Sequence, residues 1–581
     1  MALATCDLAQ TQIPDSLGTI VNLLNDGLIG PGKDNSELWH HLIIILSMAG
    51  IIFLGRIIWR LAIFYAARRV EAGLRQDMFL KAEKLPISYY RENKVGTVMN
   101  WFTSDVDTIG EYFGWGTVML VDAFFLSVIV IIRMVRVDAM LTLLAGIPVI
   151  LIVIWGALVE RFMTKKWDEH QRAFDELYDF SQENFTGIRV IKAFVKENQE
   201  IRAFAKIAKK NRDVNYSFAR LSVFFDIVIE IIIYSVIALL MGFGGWFIYA
   251  TLTNNPIQVL GYAIQLDIGK LVTHITLFEM LIWPMIALGQ IVTMMSRSRA
   301  SLKRISRYLD APEDVKSPEN AVVLSEVQGK LEFRHFSFAY PDGDDDALID
   351  LSFTIQPGER VGVVGKIGSG KSTLANILLR LYNFQEDGVF IDGTDLMKVD
   401  LTSLRDAIAY APQDNFLFSD TVSNNIAFSS DEVDQDRVKE AADFADVAEN
   451  VEAFPKGYET VSGERGVTLS GGQKQRISLA RAYYKHAPIL LMDDTVSAVD
   501  VKTEETILAN LIKYREGKTT IVIASRVSTV RHFDKILVLS EGHCEAFGTH
   551  EELMKTSPTY ERMVYLQTLE AEVAEGGNGN G

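Results

Sequence analysis

Val361-Gly-Val-Val-Gly-Lys-Ile-Gly-Ser-Gly-Lys-Ser372 begins as a short apolar run and ends as Gly365-x-x-x-x-Gly370-Lys371-Ser372. The run Val361 to Val364 reads as a strand, and the glycine-rich turn after it matches the phosphate-cradling pattern G-x-x-x-x-G-K-[ST]. Gly365, Gly368, Ser369 and Gly370 let backbone N–H groups wrap an anion. Lys371 is placed to reach β- and γ-phosphates and Ser372 to coordinate Mg²⁺. The helix expected over Thr373 to Leu381 turns its positive end toward the same anion.

Working outward, short β-runs alternate with helical stretches. They are Leu331 to Phe338, Val361 to Val364, Ile408 to Ala411, Ile489 to Met492, Ile521 to Ala524 and Lys535 to Leu539. That alternation predicts an α/β domain around a largely parallel sheet. Ile489-Leu-Leu-Met-Asp493 is an apolar strand ending in a carboxylate that can hold Mg²⁺ through water. The domain is expected over residues 331–569. A Pro-containing charged linker precedes it at 311–330, and a polar, Gly-rich tail expected to be disordered follows at 570–581.

The N-terminal half has another character. Leu38 to Ala67, Met119 to Val137, Leu141 to Leu158, Leu221 to Ala250 and Leu271 to Met295 each approach or exceed the roughly 20 residues that cross a bilayer as helix. Ala2 to Leu24 is too polar for a free-standing span, with Asp7, Gln10, Gln12, Pro14 and Asp15. It is read as the outer part of a first span lining a polar cavity, which makes six spans over residues 1–310. Cations crowd two long loops, including Arg68, Arg75, Lys84 and Arg91 in one and Lys165, Lys166, Lys192 and Lys209 in the other. An excess of Lys and Arg marks the cytoplasmic side, so both loops and everything after Arg297 are placed there. The predicted location is the cell membrane, multi-pass, with the α/β domain in the cytoplasm. Ile87 to Val98 and Phe185 to Phe194 are amphipathic pieces expected to dock on another domain.

The net charge of -17 argues against a nucleic-acid surface. Two cysteines, Cys6 and Cys544, make no disulfide framework. Met1 to Asp7 lacks the basic start of a cleavable signal peptide.

Leu469-Ser470-Gly471-Gly472-Gln473 lies between the phosphate loop and Asp493. With it the chain resembles the ATP-binding cassette family and, with the membrane spans first, its exporter branch. The resemblance covers nearly the whole chain. It implies an all-α six-helix transmembrane domain followed by an α/β P-loop ATP-binding cassette, using ATP and Mg²⁺. In that family two cassettes meet head to tail, so Ser470, Gly471, Gly472 and Gln473 would face ATP held by a partner. The resemblance also makes Tyr340 the adenine-stacking aromatic and Gln413 a Mg²⁺ contact. Ser497-Ala-Val-Asp500 would cross to the opposite site, and Gly463-Glu-Arg-Gly466 would contact coupling helices. The front departs from the pattern. A short amphipathic helix and a longer apolar first span usually precede the region matching Ala2 to Leu24, so either the chain begins late or its first span is truncated.

Two further departures occur together. The family has Glu after the strand carboxylate, and here Asp494 stands there. The family has His where Ser525 stands. Asp494 retracts its carboxylate by about one bond, ~1.5 Å, and loss of a positioned base is typically worth 10²–10⁴-fold. The pattern is similar to the degenerate subunit of heterodimeric exporters, with a partner carrying Glu and His. The expected substrate is a drug or other amphipathic compound, with Asp226, Glu230 and Glu279 as candidates for attracting cations. The alternatives are a homodimeric lipid or peptide flippase and a nucleotide-gated regulatory membrane protein.

Overall fold

In a computed structural model the chain divides into two compact units. The structure describes residues 2–253, 257–259, 262–263, 265–343, 345–463, 466, 468–497 and 499–577.

The first unit contains Met1–Leu80 and Gly96–Asp310 and is built from long helices. Ser36–Ala82, Ala139–Thr186, Glu197–Leu252 and Ile268–Leu309 run for 47, 48, 56 and 42 residues. Val95–Val137 forms a further rod of 43 residues, with π-helical turns at Trp101–Asp105 and Tyr112–Gly116. At 1.5 Å per residue such rods outrun the ~30 Å hydrocarbon core, so they project beyond it. Among the described residues four helices are long and apolar enough to cross a membrane by length and composition: Ser36–Ala82, Val95–Val137, Glu197–Leu252 and Ile268–Leu309.

The polar opening segment is helical in two pieces, Ala2–Gln10 and Ile13–Asn25. Pro14 lacks an N–H, so a regular ladder cannot continue through it. Acceptors around the break find partners on neighbouring helices. Arg133 donates to the Thr11 carbonyl at 2.6 Å and to Asp15 at 2.7 Å, and Thr273 donates to the Pro14 carbonyl at 3.0 Å. Gly18 allows the backbone of Ile268–Leu309 to come close, since a Cβ there would lie 2.5 Å from the Gly269 carbonyl oxygen. The Thr11 and Pro14 carbonyls and the Asp15 carboxylate are thus paired with protein, which lowers the cost of placing them beside hydrocarbon.

The second unit joins Lys81–Val95 to Ala311–Gly581. Its main sheet has six strands in the order His543–Gly548, Lys535–Ser540, Arg360–Gly365, Thr519–Ile523, Ile489–Asp493, Ile408–Ala411. All neighbours are parallel except the first pair. Ile489–Asp493 and Thr519–Ile523 are buried at every position, which is why their stretches Ile489 to Met492 and Ile521 to Ile523 are apolar without a break. An antiparallel sheet of Asp346–Ile355, Leu331–Ala339, Val389–Ile391 and Thr394–Asp395 lies in the same unit.

Two boundaries differ from the sequence reading. Residues 311–330 are not a free linker. Val322 exchanges backbone hydrogen bonds with Lys398 and Asp400, and Lys330 N–H donates to Asp392 at 2.8 Å. The tail is helical to Gly577, because Pro558–Gly577 continues through the Ala- and Glu-rich stretch after Leu569. Those residue types favour helix over coil.

Candidate nucleotide site and membrane cavity

The strand ends of the parallel sheet gather the chemistry at one edge, where ligands of open α/β sheets bind. Arg360–Gly365 runs into the glycine-rich turn, and the helix Lys371–Leu378 starts immediately after it. Gly370 caps that helix at φ +96°, a left-handed conformation, and a Cβ there would meet the Ala347 carbonyl oxygen at 2.8 Å. Only glycine suits that position. Lys371 curls back over the turn and donates to the carbonyls of Gly365 at 2.9 Å and Lys366 at 2.8 Å. Burial pulls its ammonium below the usual lysine range, with Asp494 and Asp493 opposing the shift. The Ser369 hydroxyl is buried at 3% exposure and has no hydrogen-bond partner among the described residues, so it has a donor to spare within the turn.

Asp493 ends its strand at 3% exposure, and the Ser372 hydroxyl reaches its Oδ1 at 3.5 Å. Burial raises the Asp493 carboxyl, the Ser372 contact and Lys371 lower it, and Asp494 raises it. Ser372 and Asp493 offer two hard oxygen donors beside the phosphate turn, which fits Mg²⁺ with phosphate oxygens and water as its other ligands. Gln413 stands exposed just beyond the strand Ile408–Ala411, the sheet neighbour of Ile489–Asp493.

Asp494 takes a left-handed backbone, φ +49°. Its N–H donates to the Ile523 carbonyl at 2.9 Å, and its own carbonyl accepts from Gln475 at 3.1 Å and Ser497 at 2.9 Å. Its carboxylate accepts from the Ser525 backbone N–H at 3.3 Å. The two altered positions are therefore neighbours. Gln567, on the C-terminal helix, brackets the Ser525 loop by donating to the Ser525 carbonyl at 3.2 Å and accepting from Val527 N–H at 2.8 Å. Gln475 and Gln567 bear on the site through backbone contacts that no sequence spacing announces.

Tyr340 donates its hydroxyl to Thr373 at 3.0 Å and accepts from Asn376 at 3.3 Å. Those bonds tie the aromatic platform to the phosphate-turn helix. Arg91, in the short helix Ile87–Glu92, lies 5.0 Å from the Tyr340 ring centroid and 3.2 Å from Asp342. In the sequence it stands only as one cation of a long loop, and 249 positions separate it from Tyr340.

Ser470 caps the helix Gly471–Tyr484 through a full capping box. Gln473 N–H donates to its Oγ at 3.3 Å, and Ser470 N–H donates to Gln473 Oε1 at 2.9 Å. The arrangement holds an exposed helix N-terminus rigid, a geometry suited to an anion. Glu464 and Arg465 of the segment before it, and Ala498 of Ser497–Asp500, lie outside the described residues.

In the membrane unit, Glu279 lines a cavity of about 510 Å³ together with Asp122 and Asp7. Asp226 and Glu230 lie exposed on Glu197–Leu252 and are not brought to it.

The family model described as "ABC transporter transmembrane region" matches residues 2–285, and that described as "ABC transporter" matches 348–497. The probable multidrug resistance ABC transporter ATP-binding/permease protein YheI of Bacillus subtilis is 33% identical over 92% of this chain and 89% of its own length. This chain belongs to the ABC transporter family. The multidrug resistance-like ATP-binding protein MdlA of Escherichia coli is 34% identical over 95% of this chain and 91% of its own length. A bacterial Atm1-family ABC exporter with ATP bound superimposes with a TM-score of 0.80 at 26% identity, covering 97% of each chain. As an ABC transporter the chain is a multi-pass membrane protein with a transport-ATPase cassette on the cytoplasmic side.

Proposed function

We propose that this chain is the degenerate half of a heterodimeric exporter of drugs or other amphipathic compounds. Relatives named for multidrug resistance support the substrate class. The observation that carries the asymmetry is the pairing of Asp494 with Ser525. The carboxylate at the base position is one bond short and engaged by a backbone N–H. The residue at the switch position offers a short hydroxyl in place of an imidazole.

Lys371, the turn amides and Ser369 bind and orient the nucleotide phosphates, and Tyr340 stacks the base. Ser372, Asp493 and Gln413 would hold Mg²⁺, which supplies charge neutralisation at the phosphates. Asp494 and Ser525 leave the attacking water without an effective base, so nucleotide here is retained and hydrolysed slowly. The rigid N-terminus at Ser470 and Gly472 serves the partner's ATP, where a Glu and a His activate water.

A second reading, a homodimeric lipid flippase, is favoured by 32% identity to an ATP-dependent lipid A-core flippase of Syntrophus aciditrophicus over 88% of this chain. Purification of the chain alone decides between the two. The heterodimer reading expects ATP binding with negligible turnover until a half-transporter bearing Glu and His is added. Full ATPase activity of the isolated chain would establish the homodimer.

A further inference from the structure

The loop that carries Ser525 runs from the strand Thr519–Ile523 to the short helix Val527–Val530, whose N-cap residue Arg526 makes no side-chain cap bond. The first amides of a helix have no partner within it, so Val527 N–H must find one outside. It donates to Gln567 Oε1 at 2.8 Å. The Nε2 of the same amide donates to the Ser525 carbonyl at 3.2 Å. One side chain thereby stands in for a neighbouring strand, accepting from Val527 and donating to Ser525. The amide has one workable orientation, because turning it over would set its NH₂ against the Val527 N–H and its oxygen against the Ser525 carbonyl. On its other side Ser525 donates its own N–H to the Asp494 carboxylate at 3.3 Å.

Gln567 reaches the loop because of how its helix, Pro558–Gly577, is packed. Tyr560, Met563, Val564 and Gln567 follow the i, i+3, i+4, i+7 spacing of one helix face. Tyr560 is fully buried and its hydroxyl meets His550 Nδ1 at 2.8 Å. Met563 and Val564 pack on the apolar core of the cassette. The helix is thus seated by apolar contact, and Gln567 extends the seated face to the nucleotide site. Losing its amide would leave the Ser525 carbonyl and the Val527 N–H to water and free the loop that aims a donor at Asp494.

We propose that Gln567 is a positioning residue for this nucleotide site: the C-terminal helix clamps the Ser525 loop through it, and the order of the Asp494–Ser525 pair depends on that clamp. The order of the loop stands apart from whether the site is degenerate, and only the activity measurement below rests on the degenerate-site reading.

The test is amide hydrogen exchange of the full chain in nanodiscs, comparing wild type with Gln567→Met and Gln567→Glu. Met has the reach of Gln and makes neither bond, whereas Glu keeps the acceptor for Val527 and loses the donor for Ser525. Gln567→Met should speed exchange across residues 524–530 by about tenfold or more and leave the phosphate turn and its helix unchanged. Gln567→Glu should fall between. A second measurement uses the pair whose partner carries Gln at its base position, with Asp494→Glu and Ser525→His in this chain. There Gln567→Met should lower kcat by about tenfold to a hundredfold and move KM for ATP by less than about twofold. Exchange unchanged by Gln567→Met, or raised equally in the phosphate turn, overturns the proposal. So does a kcat that Gln567→Met leaves unaltered in a working pair. A restored pair with no turnover in either form counts against the degenerate-site reading, and the exchange result then decides the clamp.

Discussion

The Ser525 backbone N–H donates to the Asp494 carboxylate at 3.3 Å, so the residue at the switch position holds the residue at the base position. The neighbouring strands explain the contact. Asp493 pairs in register with Ile523, which places the residues following each strand side by side. The two positions therefore share one local geometry, and on the degenerate-site reading proposed above a gain of activity requires changing both.

The double replacement Asp494→Glu and Ser525→His should create a working site. In a pair whose partner carries Gln at its own base position, it should raise ATP turnover by on the order of 10²-fold. Asp494→Glu alone should gain far less, because the water still lacks the imidazole. Steady-state phosphate release reads both. No gain from the double replacement would mean that the defect lies elsewhere.

Coupling should run through the second long loop. Ile188–Ala193 is flanked by Phe185 and Phe194, which are exposed at 76% and 71%. Apolar side chains this exposed on a short helix suit a docking face. Cysteines replacing Phe185 or Val190, in a chain stripped of Cys6 and Cys544, should crosslink to the partner's cassette. Crosslinks confined to one chain would contradict the swapped arrangement.

Residues 311–330 should behave as part of the cassette. Arg380 is buried at 2% exposure and donates to the carbonyls of Val399 at 3.1 Å and Lys316 at 3.0 Å. Arg380→Met strands those acceptors and should cost about 2–4 kcal/mol. The cassette's thermal transition in the full chain should fall by about 5–15 °C. An unchanged midpoint would mean that the segment is not anchored there.

Asp493 should trade stability for binding. Burial raises its carboxyl above the usual range, so the folded state holds that proton more tightly than the unfolded chain does. Its contribution to stability is therefore fullest at low pH and is lost as pH rises from the ordinary carboxylate value through the raised one. Asp493→Asn should raise the cassette midpoint at neutral pH, flatten that part of the pH slope and shrink the stabilisation given by ATP with Mg²⁺. Thermal scans at acid and neutral pH, with and without nucleotide, measure all three.

The parallel sheet was legible because strands buried on both faces carry continuous apolar runs, as in Ile489 to Met492. The antiparallel strand Asp346–Ile355 alternates buried and exposed residues and carries Asp350 at φ +49°, so no apolar run marks it. Val389–Ile391 and Thr394–Asp395 are too short to register. The phosphate turn and signature were legible because their chemistry lies in contiguous residues. Arg91 and Gln567 were not, since each meets the site only through tertiary packing. The polar segment Ala2 to Leu24 made sense only once Arg133 and Thr273 were seen to satisfy it.

The most direct test of the central claim is steady-state ATPase activity of the reconstituted pair carrying Asp494→Asn or Ser470→Arg in this chain. Asp494→Asn should barely change turnover, because that carboxylate is already short and engaged by Ser525. Ser470→Arg should nearly abolish turnover, because it disrupts the capped helix N-terminus that the heterodimer reading assigns to the working site. A large loss from Asp494→Asn, or near-normal turnover with Ser470→Arg, would show that hydrolysis takes place at this chain's own phosphate loop.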